Sequence, residues 1–442
     1  MEQTPIGKLL LKLSPPVMLA LLIQSIYNIV DSYFVAQYSE AGLTALSIIY
    51  PIQLLMVALA TGAGAGINIL VSRMDGTGEC ARQKDVVKTG LWLGLVQFVA
   101  FAAVGLLLVQ PYFVLSSDQL DVQTQGVQYA RVIFAGSFGM FLEAHCTKLL
   151  QAKGNMMLPM AAQVTGAILN VALDPLLIFG YGPFPELGVT GAAIATVVGQ
   201  WVAMGMTVVG VLCRYELTGR FRASACRDIY RAGIPSIVMQ SLYTLYMVGL
   251  NLVLKGFTED AVTVLGIYYK LQTFFFIPLL GLQQVILPII SFNYGAKNTG
   301  RVRETVKDSL LISTVVMTLA TVVFLVAPDP LLSIFSAKPA IHTIGRYALR
   351  VIAASFVPAG FGVIFITYFQ GTDRGRASLC ITITRQVILL VPLAWVFHFI
   401  GLKAVWYTFP VTEVLILVVS LVLLRRPWEQ EARNASPAVK QL

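Results

Sequence analysis

Charge is what this chain is short of. Of its 442 residues only 12% are Asp, Glu, Lys or Arg, against 57% hydrophobic, and the mean hydropathy is +0.77. Soluble domains carry about twice that charged fraction, so a water-soluble fold is excluded. Histidine numbers three and cysteine five. No His/Cys set has metal-ligand spacing, no Ser/His/Asp set suggests nucleophilic catalysis, and no glycine loop ending in Lys-Ser/Thr supports direct use of ATP. Neither an enzyme nor a resident cofactor is expected. The odd cysteine count argues against disulfides.

What is present is a succession of apolar runs, each long enough to cross roughly 30 Å of hydrocarbon. Twelve are expected, at about 14–36, 43–71, 89–109, 128–149, 157–180, 188–212, 234–254, 261–290, 309–327, 345–369, 378–399 and 402–424. Because every backbone polar group must be satisfied inside lipid, the fold is expected to be an all-α membrane protein. Lys and Arg fall in alternate loops, among them Arg73, Arg82, Lys148, Arg214 to Arg231, Arg301 and Arg374, whereas the opposite loops hold Lys255, Lys338 and Lys403. By the positive-inside bias both termini should be cytoplasmic, in the cell membrane. The net charge of +9 is largely this bias, spread over many short loops, and nucleic-acid binding is not expected. No removable signal peptide is expected before the first span.

Spans of the first half carry three acids, Asp31, Glu143 and Asp174, and two of them stand out. In PMAAQVTGAILNVALDPLLIFG, from Pro159, Asn170 and Asp174 stand four apart on one helix face, and Pro175 frees the carbonyl of Val171. An intramembrane carboxylate costs about 3 kcal/mol or more, which makes it a functional residue by default. In QSIYNIVDSYFVA the acid is Asp31, fifteen residues after Pro16, just as Asp174 is fifteen after Pro159. At about 1.5 Å per residue the two carboxylates should lie at similar depth, suited to sharing a proton or a Na⁺ ion.

The chain also repeats itself. RMDGTGECARQKDVV from Arg73 echoes FNYGAKNTGRVRETV from Phe292, and LLQAKGN at 149–155 echoes YFQGTDR at 368–374, both at an offset of 219. QSIY at 24–27 echoes QSLY at 240–243. We therefore expect a parallel internal repeat: an N-terminal six-helix lobe at 1–212, a basic linker at 213–233, a C-terminal six-helix lobe at 234–424 and a tail at 425–442. Two such lobes, rocking about a central cavity, suit a transporter. In the second half Lys270 and Arg385 stand in spans, with no well-buried acid expected and Arg385 reaching for the membrane surface.

With these residues assembled, QSIYNIVDSYFVA, the loop beginning SRMDGTG, NVALDPLLIFG followed by GVTGAAIAT, and GLQQVILPIISFNYGAKN together resemble the multidrug and toxic compound extrusion (MATE) family over nearly the whole chain. The resemblance implies an antiporter coupled to H⁺ or Na⁺ that exports amphipathic, often cationic, compounds. It also implies an ion-coupling site in the N-terminal lobe, which maps onto Asp31, Asn170, Asp174 and Thr196; a C-terminal ion site is not expected. Candidates for the substrate cavity are Gln24, Tyr27, Asn28, Glu143, Gln240, Tyr243 and Lys270. Glu143 fits a substrate contact, a proton relay or a salt bridge. The partners expected are small drug-like molecules and the bilayer, with the monomer as the working unit. The alternative is a flippase for a lipid-linked sugar or other lipid precursor.

Overall fold

A computed structural model describes residues 4–435, which are helical almost throughout. The helices are α1 (Ile6–Tyr38), α2 (Glu40–Thr77), α3 (Cys80–Ser116), α4 (Leu120–Gly136), α5 (Phe138–Ala152), α6 (Met157–Ile178), α7 (Val189–Leu212), α8 (Ala223–Lys255) and α9 (Glu259–Phe275). They continue as α10 (Ile277–Gly295), α11 (Thr299–Val326), α12 (Pro328–Ser333), α13 (Pro339–Ala353), α14 (Phe356–Gly371), α15 (Gly375–Ile383), α16 (Val391–His398), α17 (Leu402–Val405) and α18 (Thr408–Ala435). A π-helical turn, Thr384–Leu390, joins α15 to α16.

Among the described residues ten helices, or eleven counting the bent pair α13 and α14, are long and apolar enough to span a bilayer. The expected span 128–149 is divided between α4 and α5, which meet at Ser137, and 261–290 is divided between α9 and α10 at Phe276. The span 345–369 bends by 47° between α13 and α14. At two of these breaks the cause is the same: Ser137 Oγ donates to the Phe134 carbonyl at 2.8 Å and Ser355 Oγ to the Ile352 carbonyl at 2.6 Å, so that a serine side chain takes over a carbonyl where the helix turns.

The duplication extends to the backbone. Gly78 and Lys297, 219 residues apart, both adopt left-handed φ, 76° and 57°, and Gly154 and Asp373 do so at 76° and 62°. In each pair the following amide closes the same turn: Glu79 N–H on Met74 O and Asn298 N–H on Asn293 O, then Asn155 N–H on Leu150 O and Arg374 N–H on Phe369 O.

The chain forms two compact units, Pro15–Gln240, and Ser241–Leu442 together with Met1–Ser14. This differs from the boundaries expected at 212 and 234. The leading segment is tied to the second unit, where the Arg301 guanidinium donates to the Thr4 carbonyl at 2.7 Å. The basic stretch 213–233 is not a free linker: its Arg220 and Arg222 amides bond Asp85 and Thr89 at 2.7 and 3.1 Å, and from Ala223 it is already α8. The expected tail begins as a continuation of α18 to Ala435, and its remainder lies outside the described residues.

In the first unit α6 and α7 pack with glycine against glycine. A Cβ on Gly166 would lie 2.6 Å from the Gly199 carbonyl oxygen, and a Cβ on Gly199 the same distance from Gly166 O. Only residues without a side chain permit this approach, and it brackets the polar residues described next.

Candidate functional site

Asn170 and Asp174 lie one turn apart on α6, and Thr196 faces them from α7. The Asn170 side-chain amide donates to Asp174 Oδ1 at 3.4 Å and to Thr196 Oγ1 at 3.3 Å. Asp174 is fully buried and Asn170 is 2% exposed. Asp31, on α1, is 8% exposed and lies within electrostatic reach of Asp174. The four residues implied by the resemblance therefore fall in one region of one unit.

What distinguishes the cluster is its unmet hydrogen bonding. Asp31 Oδ1, Asn170 Oδ1 and Asp174 Oδ2 are all buried and have no hydrogen-bond partner among the described residues. Buried polar atoms in folded proteins are nearly always satisfied, so three orphan acceptors in one neighbourhood call for a positive or proton-bearing guest. Their chemistry, two carboxylates, an amide oxygen and a nearby hydroxyl, fits a proton or a small hard cation.

Tyr27 lies within electrostatic reach of Asp31, Glu143 and Asp174. Tyr129, on α4, is within reach of both aspartates and accepts a long 3.4 Å bond from Gln53. Sequence reasoning passed over Tyr129 and Gln53, since neither residue is unusual in a span by itself. Glu143 on α5 accepts from Thr147 at 2.7 Å and from Gln163 at 3.4 Å, so its carboxylate, unlike those of Asp31 and Asp174, is not among the orphan acceptors. His145 is buried with Nδ1 on the Gly90 carbonyl at 2.8 Å, a packing role.

Of the candidate cavity residues, Gln24 and Asn28 are exposed, and Asn28 donates to the Gln24 carbonyl on its own helix. Gln240 accepts from Thr61 at 3.0 Å. Tyr243 belongs to the other unit, where it meets Tyr246 with ring centroids 5.2 Å apart. Lys270 is exposed, its ammonium 5.6 Å from the centre of the Phe335 ring.

The second unit departs from expectation. It does contain a buried acid: Glu413 on α18, 5% exposed, within the span 402–424. Arg385 does not reach for the membrane surface but pairs with it, Nε at 2.8 Å and Nη2 at 2.6 Å from Glu413 Oε1. Pairing across the helix interface leaves neither the half-buried guanidinium nor the buried carboxylate uncompensated.

A duplicated bundle of membrane-spanning helices, with two aspartates and an asparagine clustered inside the first repeat, defines a membrane transporter rather than an enzyme. The MatE family model matches residues 16–176 and again 235–396, once per repeat, and the chain belongs to that family. One relative is a FAD transporter of Shewanella oneidensis, 27% identical over 430 residues (96% of this chain, 95% of that one). The multidrug export protein MepA of Staphylococcus aureus is 23% identical over 438 residues, covering 96% and 94% of the two chains. A multidrug resistance MATE transporter solved in an outward-facing conformation shares the fold with a TM-score of 0.91 at 23% identity, covering 98% of each chain. A point mutant of the Vibrio cholerae MATE transporter VcmN superposes with a TM-score of 0.90, at 21% identity over 96% of this chain and 97% of that one.

Proposed function

We propose that this transporter is an antiporter that exports small amphipathic compounds in exchange for H⁺ or Na⁺, with the ion held by Asp31, Asn170, Asp174 and Thr196. The observation that carries the reading is the set of three buried acceptor oxygens, Asp31 Oδ1, Asn170 Oδ1 and Asp174 Oδ2, that lack any partner among the described residues. Two aspartates left ionised together in lipid are unfavourable by desolvation and by mutual repulsion, and an entering cation relieves both. A cationic substrate relieves the same excess of negative charge, so ion and substrate exclude one another through a coupling free energy that is reciprocal. Export then follows when the ion, arriving from outside, replaces the substrate.

The loop charges support a topology with both termini cytoplasmic. The relatives support a substrate range from drugs to a flavin dinucleotide, since one is a multidrug export protein and another a FAD transporter. Proteoliposomes loaded with ethidium, with proton and sodium gradients imposed separately, test the proposal. One of the two gradients should drive transport, and Asp174→Asn should abolish it in a protein that still folds and inserts. Equal transport by the mutant would remove the ion site from consideration.

A further inference from the structure

The Arg385–Glu413 pair belongs to the second unit, whereas the ion site just proposed belongs to the first, and the geometry of the pair is incomplete. Both hydrogen bonds from Arg385 fall on Glu413 Oε1, leaving Oε2 buried and without a partner among the described residues. A pair selected only for stability would use both oxygens, since a guanidinium fork matches a carboxylate two bonds to two. Oε2 faces Gly362 of α14, where even an added Cβ would stop 3.9 Å short of it. Arg385 itself sits in the π-helical turn, an irregularity found frequently at functional sites, and its side chain remains 21% exposed. So the guanidinium is reachable and only half engaged.

Its surroundings are aromatic and rich in donors. Tyr246 and Tyr268 are close enough to feel the Arg385 charge, and Tyr269 joins them with ring centroids 6.3 and 5.5 Å away. Tyr243 completes the cluster at 5.2 Å from Tyr246. The Tyr269 hydroxyl is buried with no hydrogen-bond partner among the described residues. A phenol that lacks an acceptor, in a cluster whose Tyr246 and Tyr268 adjoin a guanidinium with N–H groups to spare, favours an anion, and tyrosine faces favour a flat ring.

We propose that Arg385 and the tyrosines around it form a binding site for planar aromatic anions, in which Glu413 occupies the guanidinium until the carboxylate, sulfonate or phosphate of a ligand displaces it. The proposal rests on the transporter reading and extends its substrates beyond cations, but it does not depend on the ion site. Glu413 thereby sets the threshold: an anion must outcompete a tethered carboxylate for the same N–H groups.

The test is equilibrium binding by fluorescence anisotropy on the purified full-length protein, with fluorescein as a planar anion and ethidium as a planar cation. Glu413→Gln, which keeps shape but gives up the charge, should tighten fluorescein binding by about tenfold, because the competitor is weakened. The double variant Arg385→Met with Glu413→Leu removes the pair without leaving a buried charge, so it should fold; it should lose fluorescein binding at least tenfold and keep ethidium binding. Fluorescein affinity that is unchanged or weaker in Glu413→Gln overturns the proposal, as does wild-type fluorescein affinity in the double variant. Should the double variant lose both dyes, the Glu413→Gln titration decides alone. A failure of the ion-site reading shows instead in ethidium transport by Asp174→Asn, with fluorescein binding unaffected.

Discussion

Gly166 and Gly199 touch reciprocally: a side-chain carbon on either would fall 2.6 Å from the other's carbonyl oxygen. Farther along the same interface a Cβ on Gly191 would fall 2.4 Å from Leu177 O. These contacts hold α6 against α7 on both sides of Asn170, Asp174 and Thr196, so the site is positioned by backbone rather than by side-chain packing. Gly199→Ala should separate the helices, cost about 1–3 kcal/mol of stability as overpacking does, and lengthen the Asn170–Thr196 bond. Thermal unfolding in detergent, read beside ion-driven transport, checks this; wild-type values in both would show that the interface adapts freely.

The two aspartates should account for coupling by themselves. With Asp31→Asn and Asp174→Asn combined, transport of ethidium should become indifferent to both proton and sodium gradients, although the Arg385–Glu413 pair is intact. If either gradient still drives export in the double mutant, coupling resides elsewhere.

Substrate and ion should compete at equilibrium. Ethidium affinity of the purified protein is expected to fall as protons or Na⁺ load the Asp31/Asp174 pair, and Asp31→Asn is expected to flatten that response. Titrations across pH 5 to 9, with and without Na⁺, supply the measurement. A flat wild-type response would defeat the competition mechanism while leaving the family assignment untouched.

At Asp329, outside the spans, the pH dependence has a defined sign. Arg346 hydrogen bonds the Asp329 carboxylate at 3.1 and 3.0 Å, with His342 at 3.4 Å, and holds its pKa below the ordinary 3.8. A depressed carboxyl pKa contributes stability above the unfolded value and loses it as pH falls through the folded value. The link between α12 and α13 should therefore weaken below about pH 4. Hydrogen-exchange protection over 328–353, taken relative to the intrinsic rate at each pH, should fall with acid in the wild type, and Asp329→Asn should be less protected at neutral pH and respond little to acid.

Much of this was legible in the sequence because membrane chemistry is strict. Apolar length reports a span, and an acid inside one has to be explained, which is why Asp31 and Asp174 stood out. Asn170 was found through its i, i+4 relation to Asp174, and Thr196 only through family resemblance, since threonines in spans commonly bond their own helix. Glu413 was present in the span 402–424 and was missed, because its meaning depends on Arg385, twenty-eight residues earlier on another helix. No periodicity links such a pair. The breaks at Ser137 and Ser355 were equally hidden, as a serine in an apolar run gives no sign of which carbonyl it will take. The attachment of the leading segment was hidden for a similar reason: Arg301 binds the Thr4 main chain, and a backbone acceptor has no letter in the sequence.

The paired left-handed turns record what duplication preserves. At two corresponding places the first copy has glycine, Gly78 and Gly154, whereas the second has Lys297 and Asp373 in the same conformation. Backbone shape has outlasted the residue that makes it easy. The second copy consequently carries local strain of about 1 kcal/mol at each turn that the first does not. Lys297→Gly and Asp373→Gly should each raise the melting temperature, whereas Gly78→Lys should lower it, and an engineer seeking a sturdier protein would begin by copying the first half of the chain onto the second.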